Sequence, residues 1–316
     1  MILGLLALAM PASCSRAELL AITGSTDAGM GGRGTGGAIG TGGVSGTGGA
    51  RATCPSAVLP SGDTNRTIMV DGLSRSYLLH VPAAYDGRAA VPLMLDFHSI
   101  GVAPTYEKSH STFLALTDPE GVVTAFPVGQ SGPLGPAWNV GPCCVANVDD
   151  VKFTRAVVAD IQSLACIDAS RVYAVGFSMG GGLDYTLACQ ATDLFAAIAP
   201  AAFDLTEEGL VDCKPTRSIT VISFRGTMDP LVRYTGGASS LIPGMPVTFL
   251  GAQGTFQKWA EFDQCVGDPS SPDAAGCSRY SGCKDGADVI LCTKTGGGQD
   301  FADATFAWPI LRAHSL

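Results

Sequence analysis

An α/β domain built on a mostly parallel sheet is predicted by three features of the sequence: short β-branched apolar runs of buried-strand length, helical periodicity between them, and a strand–serine–helix junction rich in glycine. In order, "TIMV" (67–70) and "RSYLLHV" (75–81) read as strands, and "VPLMLDF" (91–97) has the length and branching of a buried one. "GVVTAFP" (121–127) follows as another strand. Residues 148–165 place Val151, Phe153, Val157, Val158 and Ile161 at helical spacing. "RVYAVGF" (171–177) is a strand and "MGGGLDYTLACQA" (179–191) a helix, while "LFAAIAP" (194–200) and "SITVISF" (218–224) are further strands. A helix over 255–264, a last strand at "DVILCTK" (288–294) and a closing helix in 301–314, shortened or kinked by Pro309, complete the pattern.

The composition sets bounds on function. With 46% hydrophobic and 15% charged residues over 316 positions, the chain can bury a sizeable core. Its net charge of -9, with no cluster of Lys and Arg, excludes a nucleic-acid partner, because phosphate binding needs concentrated positive charge. Partners are therefore small molecules, polymers or proteins.

Residues 1–17 carry an apolar run too short to span a bilayer, followed by small residues, and read as an export signal. Two cleavages fit: after Ser13, leaving Cys14 to carry lipid as the only membrane contact, or after Ala17, releasing a free secreted protein. Residues 18–53 form a Gly-rich linker in which GTGG recurs, with too little apolar surface to offset the entropy of ordering. Of eleven cysteines, ten remain when Cys14 is set aside, a density that suits disulfides in an oxidising compartment. The adjacent Cys143 and Cys144 are expected to bridge to different partners, and Cys265, Cys277, Cys283 and Cys292 to staple the loop between them. Trp138, Trp259 and Trp308 are candidates for polymer contact or for packing, packing being favoured.

The chemistry concentrates at "RVYAVGFSMGGG". Gly176-Phe177-Ser178-Met179-Gly180 fits G-x-S-x-G, between a predicted strand and a predicted helix, so the Ser178 hydroxyl should stand on a tight turn at a helix N-terminus. The loop after "LMLDFHSIG" should supply the Ile100 amide, and Met179 the second amide, of an oxyanion hole. His98 reads as a packing residue of that loop. Asp229, in "RGTMDP", follows a later strand in the chain order Ser, Asp, His of such hydrolases.

These blocks, with "WNVGPCC", "VDDVKF" and "TGGG", give the domain at 54–316 a resemblance to the secreted α/β-hydrolase esterases that include polyhydroxybutyrate depolymerases and feruloyl esterases. The resemblance implies a cofactor-independent hydrolase of carboxylic esters, acting on a polyester or on a plant polysaccharide ester through a Ser, Asp, His triad. Three positions depart from that family. Ser99 follows His98 where glycine is usual, Arg225 replaces a histidine before Gly-Thr, and Gln299 stands after the glycine run where the base is expected. An amide nitrogen has no basic lone pair, so Gln299 cannot take a proton from Ser178. A weakened esterase and a catalytically silent binding protein at the cell surface are both open readings. The chain has four histidines, His80, His98, His110 and His314, of which His98 and His110 are the candidates for a shifted base.

Overall fold

A computed structural model of the chain describes residues 54–141, 144–242 and 245–316. The expectations for the export signal, the Gly-rich linker, Cys14 and Cys143 lie outside the described residues. In chain order the strands are β1 (Gly62–Val70), β2 (Leu73–Val81), β3 (Val91–Phe97), β4 (Val123–Pro127), β5 (Gln130–Gly132), β6 (Gly135–Ala137), β7 (Ile167–Phe177), β8 (Ala197–Ala201), β9 (Thr220–Gly226), β10 (Gly237–Ile242), β11 (Met245–Phe249), β12 (Cys277–Tyr280) and β13 (Val289–Lys294). The helices are α1 (Pro104–His110), α2 (Leu114–Thr117), α3 (Asp150–Leu164), α4 (Met179–Gln190), α5 (Glu207–Leu210), α6 (Gly251–Phe262) and α7 (Ala304–Leu311).

Nine strands form one sheet in the order β1-β2-β4-β3-β7-β8-β9-β13-β12. The run from β4 to β13 is parallel, and antiparallel pairs occur only at the two margins. Parallel strands need both faces covered, which is why β4, β8 and β9 are buried along their whole length and read as mostly apolar runs. One face packs on Phe153, Val157 and Ile161 of α3, Leu183 and Leu187 of α4, and Phe256 and Trp259 of α6. The other packs on Phe113 and, from α7, on Ala304, Trp308 and Leu311.

Local chemistry sets the boundaries. Asp149 caps α3 by accepting from the Lys152 amide at 2.8 Å. α6 begins at Gly251, earlier than expected, because this glycine adopts φ +78 and lets the Ala252 amide reach the Tyr234 carbonyl at 2.9 Å. Pro309 lies inside α7, which ends two residues later. β12 falls in a segment that reads as loop: Cys277 and Cys292 stand opposite each other in the β12–β13 ladder and are disulfide-bonded. Cys265–Cys283, Cys54–Cys166 and Cys189–Cys213 are the other pairs among the described residues. The late four cysteines thus staple their loop as expected. Trp138, Trp259 and Trp308 are buried, at 0%, 0% and 2% exposure, so none can lie on a polymer.

Candidate active site

Ser178 sits between β7 and α4 with φ 53 and ψ -117, a strained conformation for a residue with a side chain. Its amide donates to the Ala201 carbonyl at 2.9 Å, fixing the turn to the next strand. The turn is possible only because its neighbours are small: a Cβ on Gly180 would overlap the carbonyl oxygen of Phe97 at the end of β3. That close approach brings the start of α4, with its unpaired first amides, against the loop that carries Ile100. Ser178 is 7% exposed, and its hydroxyl makes no hydrogen bond among the described residues.

The Ile100 loop is held from three sides. Trp138 Nε1 donates to the His98 carbonyl at 2.8 Å, and the Trp138 amide meets Met179 Sδ at 3.4 Å. The Gly101 amide donates to Pro136 on the β5–β6 hairpin at 2.8 Å. His98 is fully buried. The Gly129 amide donates to its Nε2 at 2.9 Å, which leaves Nδ1 to carry the proton toward the Ser99 carbonyl at 2.7 Å. Burial pushes its imidazole down to about 4, so it stays neutral and is committed to this loop. Beneath the loop, the buried Asp96 of β3 and Glu107 of α1 face each other as a hydrogen-bonded pair. Burial, and for Glu107 also the Asp96 charge, raises both well above the carboxylate range.

Asp229 lies past β9, 5% exposed. Its Oδ1 accepts from the Leu231 and Val232 amides at 2.9 and 3.0 Å. Its Oδ2 faces Gln299, whose Nε2 is 3.4 Å away. Two loops are stitched to make this meeting: the Met228 amide donates to Gly297 at 2.8 Å and the Gly296 amide to Thr227 Oγ1 at 2.8 Å. A Cβ on Gly226 would overlap the Gly297 and Gly298 carbonyls, so this contact requires glycine.

Arg225, fully buried, pairs with the buried Asp204. It also donates to the Val232 carbonyl at 2.5 Å, with a terminal nitrogen 3.9 Å from Asp229 Oδ2. It therefore anchors the turn that presents Asp229. Burial raises Asp204 to about 6 despite the guanidinium.

No histidine among the described residues bonds Ser178 or Asp229. His80 bonds Asp63 and Asp118, and His314 meets Thr220. His110 stacks on Tyr106 at 3.9 Å and lies 6.2 Å from Phe301, which in turn stacks on Phe177 at 4.1 Å. Sequence reasoning missed Trp138 as a pin, the Arg225–Asp204 pair, the Asp96–Glu107 pair and Phe301. The signals were an acid inside a buried strand run and an arginine at a position where the resembling family has histidine.

A glycine-flanked serine on a strained turn, at the C-terminal edge of a parallel sheet of this order, defines an α/β-hydrolase. In sequence the chain is similar to a feruloyl esterase, and in fold to solved esterases. It is 42% identical over 247 residues to feruloyl esterase B of Piromyces equi, covering 77% of this chain and 46% of that one. The acetyl xylan esterase of Aspergillus awamori matches in structure with a TM-score of 0.59 at 13% identity, over 78% of this chain and 98% of that one. The feruloyl esterase module of Clostridium thermocellum, an S954A mutant complexed with sinapinate, matches with a TM-score of 0.51 at 13% identity, over 77% and 84%. The chain spans about half the length of the curated relatives it matches. No family model matches the chain.

Proposed function

We propose that residues 54–316 form a serine-type ester hydrolase domain with Ser178 as nucleophile, Asp229 as the orienting acid, Ile100 and Met179 as oxyanion donors, and Gln299 in the position of the base. The observation that carries this reading is the strained Ser178 turn, a conformation that costs about 1–3 kcal/mol and persists only where its neighbours enforce it. Attack of Ser178 Oγ on an ester carbonyl would put negative charge on the carbonyl oxygen, beside the first amides of α4. The proton leaving Oγ has no base to receive it, since Gln299 can only donate to Asp229 and accept from Ser178. Losing the base of a triad lowers kcat on the order of a millionfold, which takes a ~10 s⁻¹ enzyme to about one turnover a day.

The substrate class is a carboxylic ester borne on a polysaccharide. The names of the relatives favour this over a polyhydroxyalkanoate polyester. The disulfides support an exported protein, tethered through Cys14 or free, and no helix among the described residues is long and apolar enough to cross a membrane. The Gln299–Asp229 contact favours a second reading, a silent domain that holds an ester without cleaving it.

Hydrolysis of p-nitrophenyl butyrate by wild type and Gln299→His, with fluorophosphonate labelling of both, separates the two. Background turnover by wild type, raised by several orders of magnitude in Gln299→His, supports a triad lacking only its base. Full activity in wild type that survives Gln299→Ala overturns the assignment of Gln299.

A further inference from the structure

Two buried acids flank the Ile100 loop where it joins the sheet and α1. Asp96 is the next-to-last residue of β3 and Glu107 the fourth residue of α1, 3% and 1% exposed. Glu107 bonds to the Asp96 carboxyl and accepts from the Ser99 amide, and the Ser111 hydroxyl donates to Asp96. Glu107 therefore reaches across the loop and holds it by the amide next to Ile100. The His98 carbonyl is held by Trp138 and the Gly101 amide by Pro136, while the Ile100 amide between them makes no hydrogen bond among the described residues. Among the described residues no cation pairs with either acid. On α1, Lys108 turns to Asp63 and His110 stacks on Tyr106; His98 is neutral. Asp184 of α4, a third buried acid, has no hydrogen-bond partner on either oxygen. Phe113, Val175, Gly176, Phe301 and Ala302 close the other sides without charge.

We propose that Asp96 and Glu107 share one proton across their contact and are the positioning residues that hold the Ile100 amide where an oxyanion would meet it. Two buried carboxylates that touch cannot both ionise without strong repulsion. With one proton between them they close as a clamp: one carboxyl donates, the other accepts, and Glu107 still accepts from Ser99. Burial raises both acids, so the pair holds a proton at neutral pH and gives it up to solvent only as the pH becomes alkaline. Two like charges then push β3 and α1 apart at the point where Ser99 is held, and the donor shifts with it. The inference rests on the proposed reading of Ile100 as an oxyanion donor, but the clamp itself is independent of Gln299.

The test uses the full chain. In amide NMR spectra the Ser99 and Ile100 resonances should move together in one alkaline titration, at pH values where melting curves show the fold intact. Glu107→Gln, whose amide oxygen can accept from Ser99 while its NH2 donates to Asp96, should abolish that titration. In the Gln299→His background, kcat for p-nitrophenyl butyrate should fall about tenfold or more over the same alkaline range, and Glu107→Gln should abolish the fall. Glu107→Ala, which can make neither bond, should lower kcat by about 10² across the pH range with KM within about threefold, because a misplaced oxyanion donor acts on the transition state. If Gln299→His fails to hydrolyse the ester, the assignment of the base fails, and the amide titration with its loss in Glu107→Gln still decides the clamp. Ser99 and Ile100 resonances that do not titrate in wild type, or an alkaline fall in kcat that Glu107→Gln leaves in place, overturn the inference. So does a Glu107→Ala protein that melts earlier but keeps its kcat.

Discussion

Gln299 Nε2 approaches Asp229 Oδ2 at 3.4 Å, so the side chain at the proposed base position is joined to the proposed acid. A carboxylate only accepts, which forces the amide nitrogen toward Asp229 and leaves the amide oxygen for the nucleophile side. In wild type the contact aligns no proton transfer. On the proposed reading, Asp229→Asn should therefore change the wild-type rate by less than about tenfold, yet lower the rate of Gln299→His by about 10⁴. Steady-state kinetics on the four proteins of this cycle measures the coupling. Equal losses in both backgrounds would refute it.

Removing Arg225 should unfold the domain more readily than it alters the site chemistry. Arg225→Met leaves Asp204 buried without its partner, and breaking such a pair from one side costs about 3–5 kcal/mol. Urea denaturation should show that loss. The double variant Arg225→Met, Asp204→Leu should recover most of it, because the orphaned charge is gone.

Stability should fall at both ends of the pH range, for opposite reasons. His98, held down to about 4 by burial, binds a proton more readily when unfolded, where its pKa is about 6.5. Its contribution is therefore complete above about 6.5 and is lost as pH falls toward 4. Asp96 and Glu107 are raised, so their contribution is present below the ordinary carboxylate pKa of about 4 and is lost as pH rises through and beyond neutrality. Melting curves across pH should show the alkaline decline flattened in Asp96→Asn, Glu107→Gln and the acid decline retained. An unchanged alkaline slope in that variant would exclude the pair as its source.

Mild reduction should open residues 266–282 first. Cys265–Cys283 and Cys277–Cys292 close this loop, each contributing roughly 3 kcal/mol by restricting the unfolded chain. The second bridge also joins β12 to β13, the strand that leads into the Gly297 and Gln299 loop. Limited proteolysis after graded reduction should give its first cuts there. First cuts near Cys189–Cys213 would contradict the expectation.

The parallel core was readable because strands buried on both faces leave mostly apolar runs, and β3 at Val91–Phe97 matches its run residue for residue. The short hairpins were not. β5 and β6 are three residues each, β10 carries Gly and two Ser, and β11 is broken by a proline, so none shows a strand pattern of its own. The turns that carry Ser178 and Asp229 were legible through their glycine and Asp-Pro chemistry. Trp138 was ambiguous because a lone tryptophan in a loop gives no hint that its N–H will bond the His98 carbonyl, 40 residues back along the chain. Arg225 was noticed as a departure, but its buried acid Asp204 follows a different strand, and only folding pairs them.

Trp138 grips the His98 carbonyl with its ring and meets the Met179 sulfur with its backbone, while Gly180 lets α4 rest directly on β3. The two halves of the proposed oxyanion hole are thereby tied to one another, like an anvil cast in a single piece. These contacts tie the loop that carries Ile100 to Met179 through Trp138. Any adjustment to different esters must come from the parts around that fixed block, and a domain that had lost turnover would still keep the shape of its catalytic relatives.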